Sequence, residues 1–287
     1  MEFGKVLTAM VTPFDEKNQL DLNKTTELIH YLLQNGSDGL VIAGTTGESP
    51  TLSYDEKIRL FEHVVKVVDG RVPVIAGTGS NNTKMTTELT KKAEEVGVDA
   101  ALLVTPYYNK PSQQGMYEHF STVAKATNLP IMLYNIPGRT VVQMSVDTIV
   151  NLSKISNIVS VKESSGDLDS ISQIIESTDE DFTVYSGDDS LTLPIKAIGG
   201  NGIVSVASHI VGNEMQEMVQ AFDDGDVIRA AKIHRNLLPI MKGLFMAPSP
   251  TPVKAALQLK GLPVGDVRLP LVPLSSIEEQ ELKDLLS

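Results

Sequence analysis

Short apolar runs alternate with amphipathic runs along this chain, and the alternation recurs. Eight apolar runs predict strands at residues 5–12, 39–44, 72–78, 100–106, 130–136, 158–163, 182–187 and 202–207. Their starts lie 20 to 34 residues apart, the length of one strand plus one crossover helix. The runs are continuous rather than alternating, as in Leu40-Val41-Ile42-Ala43, which suits strands buried on both faces of a parallel sheet. Between them lie helical patterns. Ser53 and Glu56 form a capping box ahead of the stripe Ile58, Phe61, Val65 and Val68. Segments 83–96, 112–126, 145–152 and 167–175 have similar polar starts, and 189–198 is the shortest crossover. Eight such units predict a (β/α)8 TIM barrel over residues 1–208. The rival, a doubly wound open sheet, has fewer strands and a glycine-rich first turn, whereas the first turn here is Thr12-Pro13-Phe14-Asp15.

Residues 209–287 read as an additional C-terminal helical region packed on the barrel. Met215, Met218, Val219 and Phe222 make one helical stripe, and Asp226 begins a helix running toward Phe245. After the Pro-rich break at 247–252, Thr251 and Pro252 read as N-cap and first turn, with Gly261 as the stop. Ser276 and Glu279 read as the cap of a last helix.

Composition narrows the function. The 287 residues include no cysteine, which removes disulfides, thiolate metal sites and cysteine nucleophiles. A net charge of −12 argues against nucleic acid as a partner. The first residues lack a basic targeting region. The longest uncharged stretch, 197–213, is broken by Gly199-Gly200-Asn201-Gly202, so no membrane helix is expected and a soluble, cytoplasmic protein is. The five histidines have no ligand spacing, so no metal site is expected.

A barrel carries its active site at the C-terminal ends of its strands, which nominates a short set of residues. Lys162 lies inside an apolar strand, where a charged amine is expensive. A neutral amine is the form that attacks a ketone to give a Schiff base. The competing reading, a structural pair with Glu163, is hindered because adjacent strand residues point to opposite faces. Tyr134, one strand over at the same height, could move a proton or be a core tyrosine with its hydroxyl at the rim. Thr45 and Thr46, between two glycines, could offer N–H groups to an anion or simply make a turn. Arg139 is either a carboxylate fork or a surface arginine.

Three motifs taken together, Gly44-Thr45-Thr46-Gly47-Glu48, Tyr134-Asn135-Ile136-Pro137 and Lys162 in its strand, resemble the pyruvate-dependent class I aldolase family. That family includes the dihydrodipicolinate synthases and the N-acetylneuraminate lyases, and the resemblance covers essentially the whole chain. Segments 104–111, Pro137-Gly138-Arg139-Thr140 and Ser186-Gly187-Asp188-Asp189 are nearest the synthases. The lyases usually carry Ser-Thr in place of Thr45-Thr46 and lack the paired tyrosines.

The resemblance implies condensation of pyruvate with L-aspartate 4-semialdehyde through a lysine Schiff base, the first committed step of lysine and diaminopimelate biosynthesis. It implies that Lys162 forms the imine, that Tyr134, Thr45 and Tyr108 relay protons, and that Tyr108 comes from a neighbouring subunit of a homodimer or homotetramer. Thr46 then holds the pyruvate carboxylate, Arg139 the semialdehyde carboxylate, and Gly187 and Val204 line the pocket. No cofactor is implied. The alternatives are a lyase for N-acetylneuraminate or a 2-keto-3-deoxy sugar acid and, less well supported, a non-enzymatic keto-acid sensor. Family members inhibited by lysine bind it at positions matching Ser49, Pro50, Tyr54, Lys57, Asn81, Met85 and Tyr107. Sensitive members tend to have histidine at Lys57 and a carboxylate at Met85, so lysine inhibition is expected to be weak or absent.

Overall fold

A computed structural model describes residues 3–287. Eight parallel strands close into a barrel in chain order: β1 (Val6–Ala9), β2 (Gly39–Ile42), β3 (Val74–Gly77), β4 (Ala100–Val104), β5 (Ile131–Asn135), β6 (Ile158–Glu163), β7 (Thr183–Ser186) and β8 (Gly202–Ser205). β8 pairs with β1 and removes both sheet edges. All eight expected strands are present, but most end one to three residues early. The apolar residues that follow them, such as Ala43 with φ 48°, turn out of the ladder to build the mouth.

The crossovers are α1 (Leu22–Gln34), α2 (Tyr54–Val68), α3 (Thr83–Val96), α4 (Gln113–Ala124), the single turn α5 (Pro137–Thr140) with α6 (Val146–Ser153), α7 (Leu168–Ser177) and α8 (Thr192–Ala197). Their starts follow the capping chemistry. The Ser53–Glu56 capping box is reciprocal, and Ser112, Ser145 and Asp167 each accept a backbone N–H from the first turn of the helix they precede.

Two apolar cores result. The larger lies between strands and helices. The smaller fills the barrel with Leu7, Val41, Ile75, Leu102, Met132, Tyr134, Tyr185 and Val204, closed from below by Phe3.

After the barrel come α9 (Ser208–Asp223), α10 (Val227–Gly243), α11 (Thr251–Leu259) and α12 (Ser276–Leu286). α9 packs on β1 and α10, while α11 packs on α9 and α12. His209 ties this region to the barrel. Its Nε2 accepts the Val11 N–H at 3.2 Å and its Nδ1 faces the Val206 carbonyl at 2.9 Å, so the ring is held neutral. Burial pushes its pKa down to about 4.

Two expected caps are corrected. Pro250 occupies the N-cap of α11, with Thr251 already helical and Pro252 behind it. The last capping box uses Ser275 and Glu278 rather than Ser276 and Glu279. Gly261, with φ 83°, does lie just past the end of α11.

Candidate active site

The β5–β6 register decides the centre of the mouth. It shifts by one residue between Ile131 and Met132, and beyond the shift Tyr134 pairs with Lys162. Without it Tyr134 would face Val161, whose side chain belongs to the outer core. With it, amine and phenol share the barrel interior, with Lys162 Nζ 4.2 Å from the Tyr134 ring centroid. Lys162 is 6% exposed, and none of the ion pairs among the described residues includes it.

On the other side, β7 places Tyr185 beside the lysine. The Tyr185 hydroxyl donates downward to the Gly4 carbonyl and accepts the Phe3 N–H. Glu163 points to the opposite face, where its carboxylate accepts from Asn135 Nδ2 at 2.9 Å and from the Ser165 N–H at 2.7 Å. Burial pushes the Glu163 carboxyl up. The structural pairing of Lys162 with Glu163 is therefore absent.

A cavity of about 240 Å³ opens above this pair, walled by Thr45, Tyr107, Tyr134, Ile136, Arg139 and Thr140 among others. Lys162 lies behind the Tyr134 ring and is not part of the wall. The structure thus brings Thr45, Tyr134 and Arg139 to one space, with the lysine against the Tyr134 ring. Arg139, exposed at the rim, comes from α5, which Pro137 starts directly after β5.

The turn carrying Thr45 and Thr46 is tightly drawn. Ser49 N–H donates to the Gly44 carbonyl at 3.2 Å, Glu48 N–H to Thr45 O at 3.0 Å, and Thr12 Oγ1 to Gly47 O at 2.7 Å. Thr45 is half-buried and Thr46 buried. Gly187 covers one flank of the lysine. A Cβ there would collide with Ser164 Oγ and lie 2.8 Å from Lys162 Cε, so a larger residue would force one or both of these side chains to shift. Val204, 1% exposed, sits in the barrel interior on β8.

Tyr108 stands apart from these residues. It is 89% exposed with φ 72°, so its ring leaves the cavity of its own chain, while Tyr107 lines that cavity.

Two groups at the mouth lack a distinctive sequence signal. The Ser164 hydroxyl is buried without a hydrogen-bond partner against the Lys162–Gly187 flank. Asp189 is buried and accepts from Ser205 Oγ and from the Val206 and Ala207 N–H groups, tying the end of β7 to that of β8. A second aspartate after β7 looks in sequence like any cap. No group of three or more His, Asp or Glu that could hold a metal ion occurs among the described residues, and none of their helices is long and apolar enough to cross a membrane.

A buried amine with no counter-ion, a phenol over it and an arginine at the entrance can capture a keto acid covalently and receive a second anionic reactant. Comparison with known proteins points to one family. The sequence model of the dihydrodipicolinate synthetase family matches residues 2–287. A relative from Bacillus velezensis, a 4-hydroxy-tetrahydrodipicolinate synthase, is 63% identical over 287 residues, covering 100% of this chain and 99% of its own. The Bacillus subtilis protein of that name is 62% identical over 288 residues, with coverage of 100% and 99%. A dihydrodipicolinate synthase crystal structure from Bacillus anthracis superposes with a TM-score of 0.98 at 60% identity, covering 100% of this chain and 98% of that one. Another, from Cyanidioschyzon merolae with lysine bound, gives 0.97 at 47% identity, with coverage of 99% and 97%.

Proposed function

The chain belongs to the dihydrodipicolinate synthetase family, and from that premise we propose that it condenses pyruvate with L-aspartate 4-semialdehyde to 4-hydroxy-tetrahydrodipicolinate. It is a lyase of lysine and diaminopimelate biosynthesis. The observation that carries its mechanism is the register of Lys162 with Tyr134 in a barrel interior that gives the lysine no carboxylate.

Lys162 attacks the ketone carbon of pyruvate. The carbinolamine loses water to leave an imine, and loss of a methyl proton turns the imine into an enamine. The enamine carbon adds to the aldehyde carbon of the semialdehyde, forming the new carbon–carbon bond. The semialdehyde amino group then attacks the imine carbon, closes the ring and expels the Lys162 amine.

Tyr134 passes the protons of these steps, with Thr45 linking it to Tyr108 of the partner subunit. Thr46 holds the pyruvate carboxylate. Arg139, at the rim, takes the semialdehyde carboxylate through a bidentate contact. Gly187 and the Val204 main chain shape the space beside the lysine. These steps need no cofactor. Residues 1–208 carry the chemistry and 209–287 support it. An exposed Tyr108 that leaves its own cavity suits a homodimer or homotetramer, and the reaction belongs in the cytoplasm.

The test is substrate choice. With pyruvate present, kcat/KM for the semialdehyde should exceed that for N-acetylmannosamine or glyceraldehyde by about 100-fold or more. A sugar aldehyde preferred in that assay would move the chain to the lyases. A keto-acid sensor would turn over none of the three.

Feedback is a separate expectation. None of Ser49, Pro50, Tyr54, Lys57, Asn81, Met85 and Tyr107 is acidic. Tyr54 and Met85 are 50% and 60% exposed, Lys57 is half-buried, and Asn81 is spent on the Tyr107 carbonyl. Burial pushes the Lys57 pKa down, and no carboxylate among the seven balances a cationic ligand. L-Lysine at about 1 mM should leave the steady-state rate nearly unchanged. Half-inhibition below that concentration would show that other groups supply the missing negative charge.

A further inference from the structure

The buried ion pair between Glu48 and Lys254 has no part in the chemistry above, yet it lies directly behind the turn that faces pyruvate. The two side chains are 1% and 3% exposed, with Lys254 Nζ 2.6 Å from Glu48 Oε1. Among the described ion pairs it is the one with both partners fully enclosed. The other oxygen, Oε2, accepts the Arg268 N–H at 2.8 Å.

Lys254 also donates to the Asp266 carbonyl at 3.0 Å and sits 4.2 Å from the Phe14 ring centroid. Arg268 covers the same ring at 4.1 Å, donates to Thr51 O at 2.8 Å and pairs with Glu56. The loops after β1 and β2 and the segment around residues 264–268 are thereby laced together.

The backbone explains why the turn needs an anchor. Glu48 is a non-glycine residue in the left-handed region, with φ 55°, a conformation that persists when its surroundings hold it. Its N–H closes the turn onto the Thr45 carbonyl. Burial pushes the Lys254 pKa down to about 8 while Glu48 pulls it back up. Enclosed charges gain little net stability over a well-packed apolar pair, so directional hold is what they add here.

We propose that Glu48 and Lys254 are positioning residues, whose ion pair sets the Thr45–Thr46 turn from the C-terminal helices so that it meets the pyruvate carboxylate. This rests on the reading of that turn given above, and the experiment keeps the two apart. Borohydride trapping of pyruvate on Lys162 in the parent enzyme tests the earlier reading. Steady-state kinetics of Glu48→Gln, Glu48→Asp and the double variant Glu48→Gln/Lys254→Met test the positioning role.

The pyruvate KM should rise about tenfold in the soluble variants while kcat stays within about threefold, with the adduct still trapped at saturating pyruvate. Adding Lys254→Met to Glu48→Gln should raise KM little further, because the two residues act as one unit. A purely structural role would lower the melting temperature and the active fraction, hence apparent kcat, and leave KM alone. Pyruvate KM within about twofold of a parent that does trap pyruvate overturns the proposal. Insolubility of all three variants overturns it too, because the pair would then serve folding rather than placement.

Discussion

Lys162→Ala ends catalysis with the barrel intact. Turnover should fall by about 10³-fold or more, and mass spectrometry after borohydride reduction with pyruvate should find no adduct, whereas the parent carries one on Lys162. The size follows from covalency. Without the amine neither imine nor enamine can form, so the loss is of a pathway and not of one contact. The fold survives because the shortened side chain breaks no ion pair, and its strand remains laddered to β5 and β7. A parent enzyme that turns over without a trappable adduct would remove Lys162 from the mechanism. So would an adduct mapped to Lys254, the other almost fully buried lysine.

Tyr134→Phe should cost about 10²-fold in kcat, the usual weight of a positioned proton-transfer group. Phenylalanine keeps the ring over Lys162 and its place in the interior core, so melting temperature should hardly move. Pyruvate should still be captured, but slowly. Pre-steady-state trapping then separates a proton-relay role from a packing one, since a ring that only packs would leave the capture rate of the variant equal to that of the parent.

The barrel is legible in the sequence because parallel strands buried on both faces must be continuously apolar, and eight such runs recur at crossover spacing. The strand ends are over-read for a physical reason: the mouth is built from residues as apolar as the strands, among them Ala43 and Ile136. The shifted cap of α12 is an ambiguity of pattern. Ser275 with Glu278 and Ser276 with Glu279 have equal spacing, and only packing chooses between them. The centre of the site is legible because an amine within an apolar strand has few bland explanations.

The supports of the site are less legible. Glu48 and Lys254 are 206 residues apart in sequence, and neither differs locally from a solvated charge. Which of Tyr107 and Tyr108 turns inward depends on one positive φ that no side-chain pattern announces. The one-residue offset between β5 and β6 is equally silent, although it brings phenol and amine to one level.

That offset separates two kinds of inheritance in the molecule. The proposed nucleophile Lys162 and proton carrier Tyr134 are fixed by main-chain ladders in the staves of the cask, whereas Arg139 hangs on a detachable rim. Redesign for a different aldehyde can therefore rewrite the rim segment after β5 and leave the groups proposed to activate the keto acid untouched.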